Sequence, residues 1–108
     1  MLVVTRYRVA EEDSDAFTRD AAAAMSVLDD RPGFVGAWLG HNTDEPDLWT
    51  LTLLWDDVGS YRWALSSYDV KVTAVPLLSR AVDEASAYVV VGQWRSGGDS
   101  PGGSLGRS

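Results

Sequence analysis

Along residues 2–9, Val3, Thr5, Tyr7 and Val9 alternate with Val4, Arg6 and Arg8. This is the period-two pattern of a strand, with one apolar face and one that turns cationic towards its end. The acid-rich stretch Glu11 to Asp15 follows and suits the positive end of a helix dipole. Phe17, Ala21, Ala24 and Leu28 then recur at spacings of four, three and four, which predicts an amphipathic helix ended by Arg31-Pro32-Gly33. Alternation returns from Phe34 to Gly40. Phe34, Gly36, Trp38 and Gly40 are expected on one face; Val35, Ala37, Leu39 and His41 on the other. The polar run Asn42 to Asp47 reads as a hairpin loop, and residues 48–55 as the returning strand, with Trp49, Leu51, Leu53 and Trp55 opposed by Thr50, Thr52 and Leu54. Asp56-Asp57 is placed to cap a short helix through about Ser66. Ser67 or Asp69 opens a further turn that Pro76 interrupts, and Tyr88 to Trp94 is expected as the last strand.

The resulting order is β-α-β-β-α-β. Short connections and right-handed crossovers turn it into a ferredoxin-like α+β fold, a four-stranded antiparallel sheet with helices on one face. The uncovered face still carries bulky side chains, so a second cover is expected, most economically a twofold homodimer packed sheet against sheet.

Composition sharpens this picture. The 108 residues are 45% hydrophobic and 23% charged, as expected of one globular domain. Residues 1–95 are read as that domain. Residues 96–108 (SGGDSPGGSLGRS) are read as a disordered Ser/Gly-rich tail, because only Leu105 there is bulky and apolar. The absence of cysteine excludes disulfides, thiolate nucleophiles and cysteine-ligated metals, and a single histidine, His41, excludes any site needing two imidazoles. No metal is therefore expected. A net charge of −7 with one lysine, Lys71, opposes binding to a phosphate backbone, so nucleic acid is not an expected partner. No apolar run approaches the ~20 residues of a membrane span, and no signal-peptide pattern opens the chain, so a cytoplasmic protein without a membrane partner is expected.

Four segments together resemble the antibiotic biosynthesis monooxygenase family of dimeric α+β barrels. They are Tyr7-Arg8-Val9, Arg31-Pro32-Gly33-Phe34, Leu48-Trp49-Thr50-Leu51 running to Trp55-Asp56-Asp57, and Tyr61 to Leu78. The stretch from Trp55 to Tyr61 is similar to the family's tryptophan–acid–tyrosine signature, and the resemblance spans residues 2–94. It implies oxidation of a small aromatic or quinol-like compound by O2 without metal, flavin or other cofactor. In that chemistry a protein group stabilises a phenolate or enolate, which gives an electron to O2, and the radical pair collapses to a peroxide. The resemblance places Trp55 as a wall of the substrate slot and the Tyr61 hydroxyl on a substrate oxygen. The quinone-forming relatives carry an asparagine four residues before the tryptophan, where this chain has Leu51, and an arginine in the later helical segment, where it has Lys71, Val72 and Val75. Arg62, Arg6 and His41 are the residues available to replace those polar groups. The haem-degrading branch of the superfamily uses an asparagine on the first strand, where this chain has Arg6 and Tyr7, and a tryptophan and a histidine that fall at Ala64 and Ala74.

Each candidate has a plain structural alternative. His41 is either a general base, since an imidazole changes charge near neutral pH, or a wet loop histidine. Trp55 and Leu51 are either substrate contacts or core. Trp38, flanked by Gly36 and Gly40, borders either a ligand cavity or space for a partner's side chains. Arg6 and Arg8 either pair with acids across the dimer or hold an acidic ligand. The expected catalytic set is thus Tyr61, Arg62 and His41, with Trp55, Trp38 and Leu51 contacting substrate. The alternative is a non-catalytic dimeric protein that binds a small molecule or serves a structural role.

Overall fold

The computed structural model of the chain describes residues 1–96. Strand β1 (Leu2–Arg8) leads through a single 3-10 turn (Glu11–Asp13) into helix α1 (Ser14–Leu28). Strands β2 (Phe34–His41) and β3 (Leu48–Trp55) form the hairpin. Three short helices follow, α2 (Val58–Leu65), α3 (Tyr68–Thr73) and α4 (Val75–Leu78), and then the two-residue strand β4 (Ala87–Tyr88). The sheet order is β2-β3-β1-β4, and every paired neighbour is antiparallel. This is the ferredoxin-like arrangement. The tail reading falls, from residue 97 on, outside the described residues.

The helices cover one sheet face. Val3 and Tyr7 of β1 and Leu51, Leu53 and Trp55 of β3 meet Phe17, Ala21, Ala24 and Leu28 of α1, the stripe expected from its spacing. Each large aliphatic side chain buried there contributes roughly 2 kcal/mol of transfer free energy. Ala64, Val70, Ala74 and Leu77 close the layer from the later helices. Helix breaks fall where the sequence places them. The carboxylate of Asp57 accepts the Ser60 backbone N–H at the start of α2, and α3 gives way to α4 at Ala74, two residues before Pro76.

Two expectations change. Phe34 does not share a face with Gly36 and Trp38. A register shift between Phe34 and Gly36 inserts an extra residue, so Phe34 pairs with Trp55 on the helix-covered side while Gly36 and Trp38 pair with Leu54 and Thr52 on the other. The last strand is also far shorter than Tyr88 to Trp94. Tyr88 already pairs with Leu2, the first residue of β1, so the chain beyond it has no strand left to bond. Val91 and Trp94 are accordingly exposed.

The uncovered face carries Val4, Arg6, Thr50, Thr52, Leu54, Trp38 and Tyr88, placed together by the pairing register. Its arginines are paired within the chain. Arg6 grips both carboxylate oxygens of Glu84 at 2.6 and 2.7 Å, and Arg8 reaches Glu45 and Asp47 at 3.0 and 3.2 Å. Both arginines thus form ion pairs, but with acids of their own chain rather than across a dimer.

Candidate functional site

Tyr61 owes its position to three local features. β3 ends at Trp55, Asp57 caps α2, and Tyr61 stands one turn into that helix, facing back across the sheet. The turn before β2 fixes the distance between strand and helix. Gly33 has φ +87°, a conformation that favours glycine, and its carbonyl accepts the Asp56 N–H at 2.8 Å. A Cβ at Gly33 would run into the Ser60 side chain, so this backbone lies directly against the first turn of α2.

The Tyr61 ring packs on the Trp55 indole with centroids 5.7 Å apart, and Phe34 meets the same indole edge-on at 5.1 Å. Above this floor lies a cavity of about 200 Å³ between β1, α2 and α4, lined by Thr5, Tyr61, Leu65, Val75, Leu78, Ser79 and Ser86. A groove of about 330 Å³ shares Thr5, Leu78, Ser79 and Ser86 with it and continues past Val82, Asp83 and Glu84. This groove follows from the irregular edge of the sheet. Val82 donates its N–H to the Arg6 carbonyl and Ser86 accepts from Val4, so residues 83–85 bow away from β1 between two tie points. Across Tyr61, a cleft of about 220 Å³ is lined by Met1, Val58, Arg62, Ala87, Tyr88 and Val89 as well as by Tyr61 itself.

The lining of the 200 Å³ cavity is chemically simple. Its polar side chains are hydroxyls, and its other walls are aliphatic. Burial pushes the Tyr61 phenol above the usual tyrosine range, so at neutral pH it is a hydrogen-bond donor rather than a base. Thr5 is 7% exposed and belongs to a relay. Its Oγ1 lies 3.2 Å from the Leu51 carbonyl and 2.9 Å from the Tyr7 phenol oxygen. Burial raises the Tyr7 phenol too, more than its bond to Thr5 lowers it. In the adjoining groove, Arg6 holds the Glu84 carboxylate below its ordinary range, through its hydrogen bonds first and its charge second.

The candidate residues therefore separate. Tyr61 and Arg62 are adjacent and share the 220 Å³ cleft. Trp55 and Leu51, each 1% exposed, lie in the core under the site and line none of its walls. The Trp55 Nε1–H is buried with no hydrogen-bond partner among the described residues. His41 and Trp38 do not join them. His41 is exposed and packs at a tilt against Trp49 with centroids 5.4 Å apart, six residues along β3 from Trp55, or about 20 Å. Trp38 is 59% exposed and lies on the opposite sheet face, because it pairs with Thr52 rather than with a core position. Sequence reading missed Thr5, Tyr7, Ser79 and Ser86 as site residues. Two hydroxyls on the otherwise apolar face of β1 were a visible signal for the first pair. The serines reach the cavity only through the path of the chain after α4.

Among the described residues no group of three His, Asp or Glu side chains is placed to hold a metal ion, and no helix is long and apolar enough to cross a membrane. The fold and cavity define a small α+β protein with a ligand-sized hollow between helices and sheet. Residues 1–74 match the family described as antibiotic biosynthesis monooxygenase, and the chain belongs to that family. Solved structures agree in fold. SnoaB, a cofactor-independent oxygenase from Streptomyces nogalater, superposes with a TM-score of 0.65 at 21% identity, covering 85% of this chain and 96% of its own. A conserved protein from Methanosarcina mazei Go1 superposes with a TM-score of 0.63 at 22% identity, covering 80% and 84%. Among curated proteins none matches this sequence.

Proposed function

We propose that this protein is a cofactor-independent monooxygenase that oxidises a small aromatic or quinol-like compound with O2, working as a homodimer in the cytoplasm. The observation that carries the reading is the cavity beside Tyr61, walled by aliphatic side chains and hydroxyls and supported from below by Trp55. An apolar cavity of ~150 Å³ holds a benzene ring, so about 200 Å³ opening into a groove suits a compound of about two fused rings. Family membership supplies the reaction class.

In this reading the substrate loses a proton to become a phenolate or enolate. The Tyr61 hydroxyl donates to the developing oxyanion, and one such donor is worth about a hundredfold in rate. Arg62 adds positive charge from the cleft on the far side of Tyr61. Trp55 and Leu51 back the slot from the core without lining it. Glu84 is committed to Arg6, so Asp83 is the carboxylate of the groove available to receive the substrate proton. The anion passes one electron to O2, the pair combines to a hydroperoxide, and loss of water leaves a carbonyl. For 1-naphthol the balance is 1-naphthol plus O2 giving 1,4-naphthoquinone plus water.

Oxygen uptake with anthrone, 1-naphthol and hydroquinone tests the proposal. Uptake well above buffer with at least one of them, reduced about a hundredfold in Tyr61→Phe, is expected. Absence of uptake with all three overturns it. The second reading, a non-catalytic binding protein, is favoured by one observation: Leu51 puts an apolar side chain where the quinone-forming relatives have an amide. Ligand binding without oxygen consumption would establish that reading.

A further inference from the structure

The direction of the hydroxyl relay on β1 follows from proton counting. Thr5 Oγ1 donates its single proton, shared between the Tyr7 phenol oxygen at 2.9 Å and the Leu51 carbonyl at 3.2 Å. Both partners are protein groups, so Thr5 has no proton left for a ligand. Thr5 Oγ1 is left with a lone pair and no free proton, and Thr5 lines the 200 Å³ cavity. Tyr61, in the helix-side wall, has the opposite character. Its hydroxyl makes no hydrogen bond among the described residues and retains its proton.

We infer that Thr5 is a specificity-determining residue that accepts a hydrogen bond from a ligand hydroxyl, that Tyr7 is the positioning residue that keeps Thr5 an acceptor, and that the cavity therefore selects hydroxyaryl compounds over their ethers and ketones. The cavity is polarised: the sheet side takes a proton donor and the helix side presents one. A ring bearing a hydroxyl and a second oxygen spans it in one orientation. An ether oxygen placed against Thr5 meets lone pair with lone pair and leaves a buried acceptor without a partner. Ser79 and Ser86 line the same cavity, but neither has its proton committed to a side-chain or carbonyl partner among the described residues, so they adapt to either kind of ligand. The inference deepens the functional reading above and rests on the same cavity being the ligand site.

Calorimetric titration under argon separates the two ideas, since binding is measured with no reaction possible. The probes are 1-naphthol and 1-methoxynaphthalene, which share a ring and differ in the proton. About tenfold tighter binding of 1-naphthol to the wild-type protein is expected, the worth of one hydrogen bond. Thr5→Val should bring the two affinities together, and Thr5→Ser should restore the difference. Tyr7→Phe should narrow it by freeing the Thr5 hydroxyl to turn, an effect that loss of packing alone would not produce. Wild-type protein that binds both probes alike, or neither, overturns the inference, as does a preference that survives in folded Thr5→Val. Preference without oxygen uptake in air overturns the oxygenase reading and leaves this one standing; uptake without preference does the reverse.

Discussion

Tyr61 and Tyr7 are both held above the usual tyrosine range by burial, which has a consequence for stability. Below about pH 10 both folded and unfolded chains carry protonated phenols. Above it the unfolded chain releases protons that the folded chain retains, so the stability contributed by these phenols is lost as pH rises through their folded values. Thermal melting followed between pH 8 and 11 should show Tm falling beyond about pH 10, and the fall should be shallower in Tyr7→Phe. An equally steep fall in the variant would mean that the Tyr7 phenol is not protected by the fold. At this scale the sequence was informative about chemistry and poor about company. Tyr61 and Arg62 are neighbours on one helix, so local spacing was enough to bring them together. His41 and Trp38 were legible as residue types, but a strand keeps His41 about 20 Å from Trp55, and strand parity sends Trp38 to the other face. The Thr5–Tyr7 bond depends on rotamers that alternation alone does not specify.

Between elements, the contact that sets the site is Gly33 against Ser60. Gly33→Ala should cost about 2 kcal/mol, a Tm loss of roughly 10 °C, because it combines an unfavourable φ with a collision. Adding Ser60→Ala should recover only part of that loss, since the backbone strain remains. Full recovery in the double variant would show that crowding alone was responsible. Removing the cap with Asp57→Ala should lower Tm by a few degrees and loosen the helix that carries Tyr61. Amide exchange at Ser60 is the direct readout, and unchanged protection would contradict the capping role. The elements themselves were largely visible in the sequence. The stripe of α1, the Asp57 cap and the break near Pro76 depend on neighbours within a few positions, which hydrophobic period and capping chemistry report. The two misplacements depend on a partner strand. The shift at Phe34 exists only in the pairing with β3, and β4 ends early because β1 begins at Leu2. Apolar alternation from Tyr88 to Trp94 cannot reveal that its neighbour has run out.

For the whole molecule, the fold class followed from element order, because few topologies connect these elements without crossing. The outer sheet face exposes Trp38 and Tyr88 beside Val4 and Leu54, an apolar surface of the kind a second copy would cover in the homodimer proposed above. Sedimentation equilibrium at micromolar concentration should give twice the chain mass, and Trp38→Glu should halve it; a wild-type monomer would remove the dimer from the functional reading. The reaction itself is tested most directly by the fate of molecular oxygen. Wild-type protein turning over 1-naphthol under ¹⁸O2 should yield naphthoquinone carrying one heavy oxygen atom, with the other recovered in water. Quinone with no heavy oxygen, formed alongside hydrogen peroxide, would contradict monooxygenation.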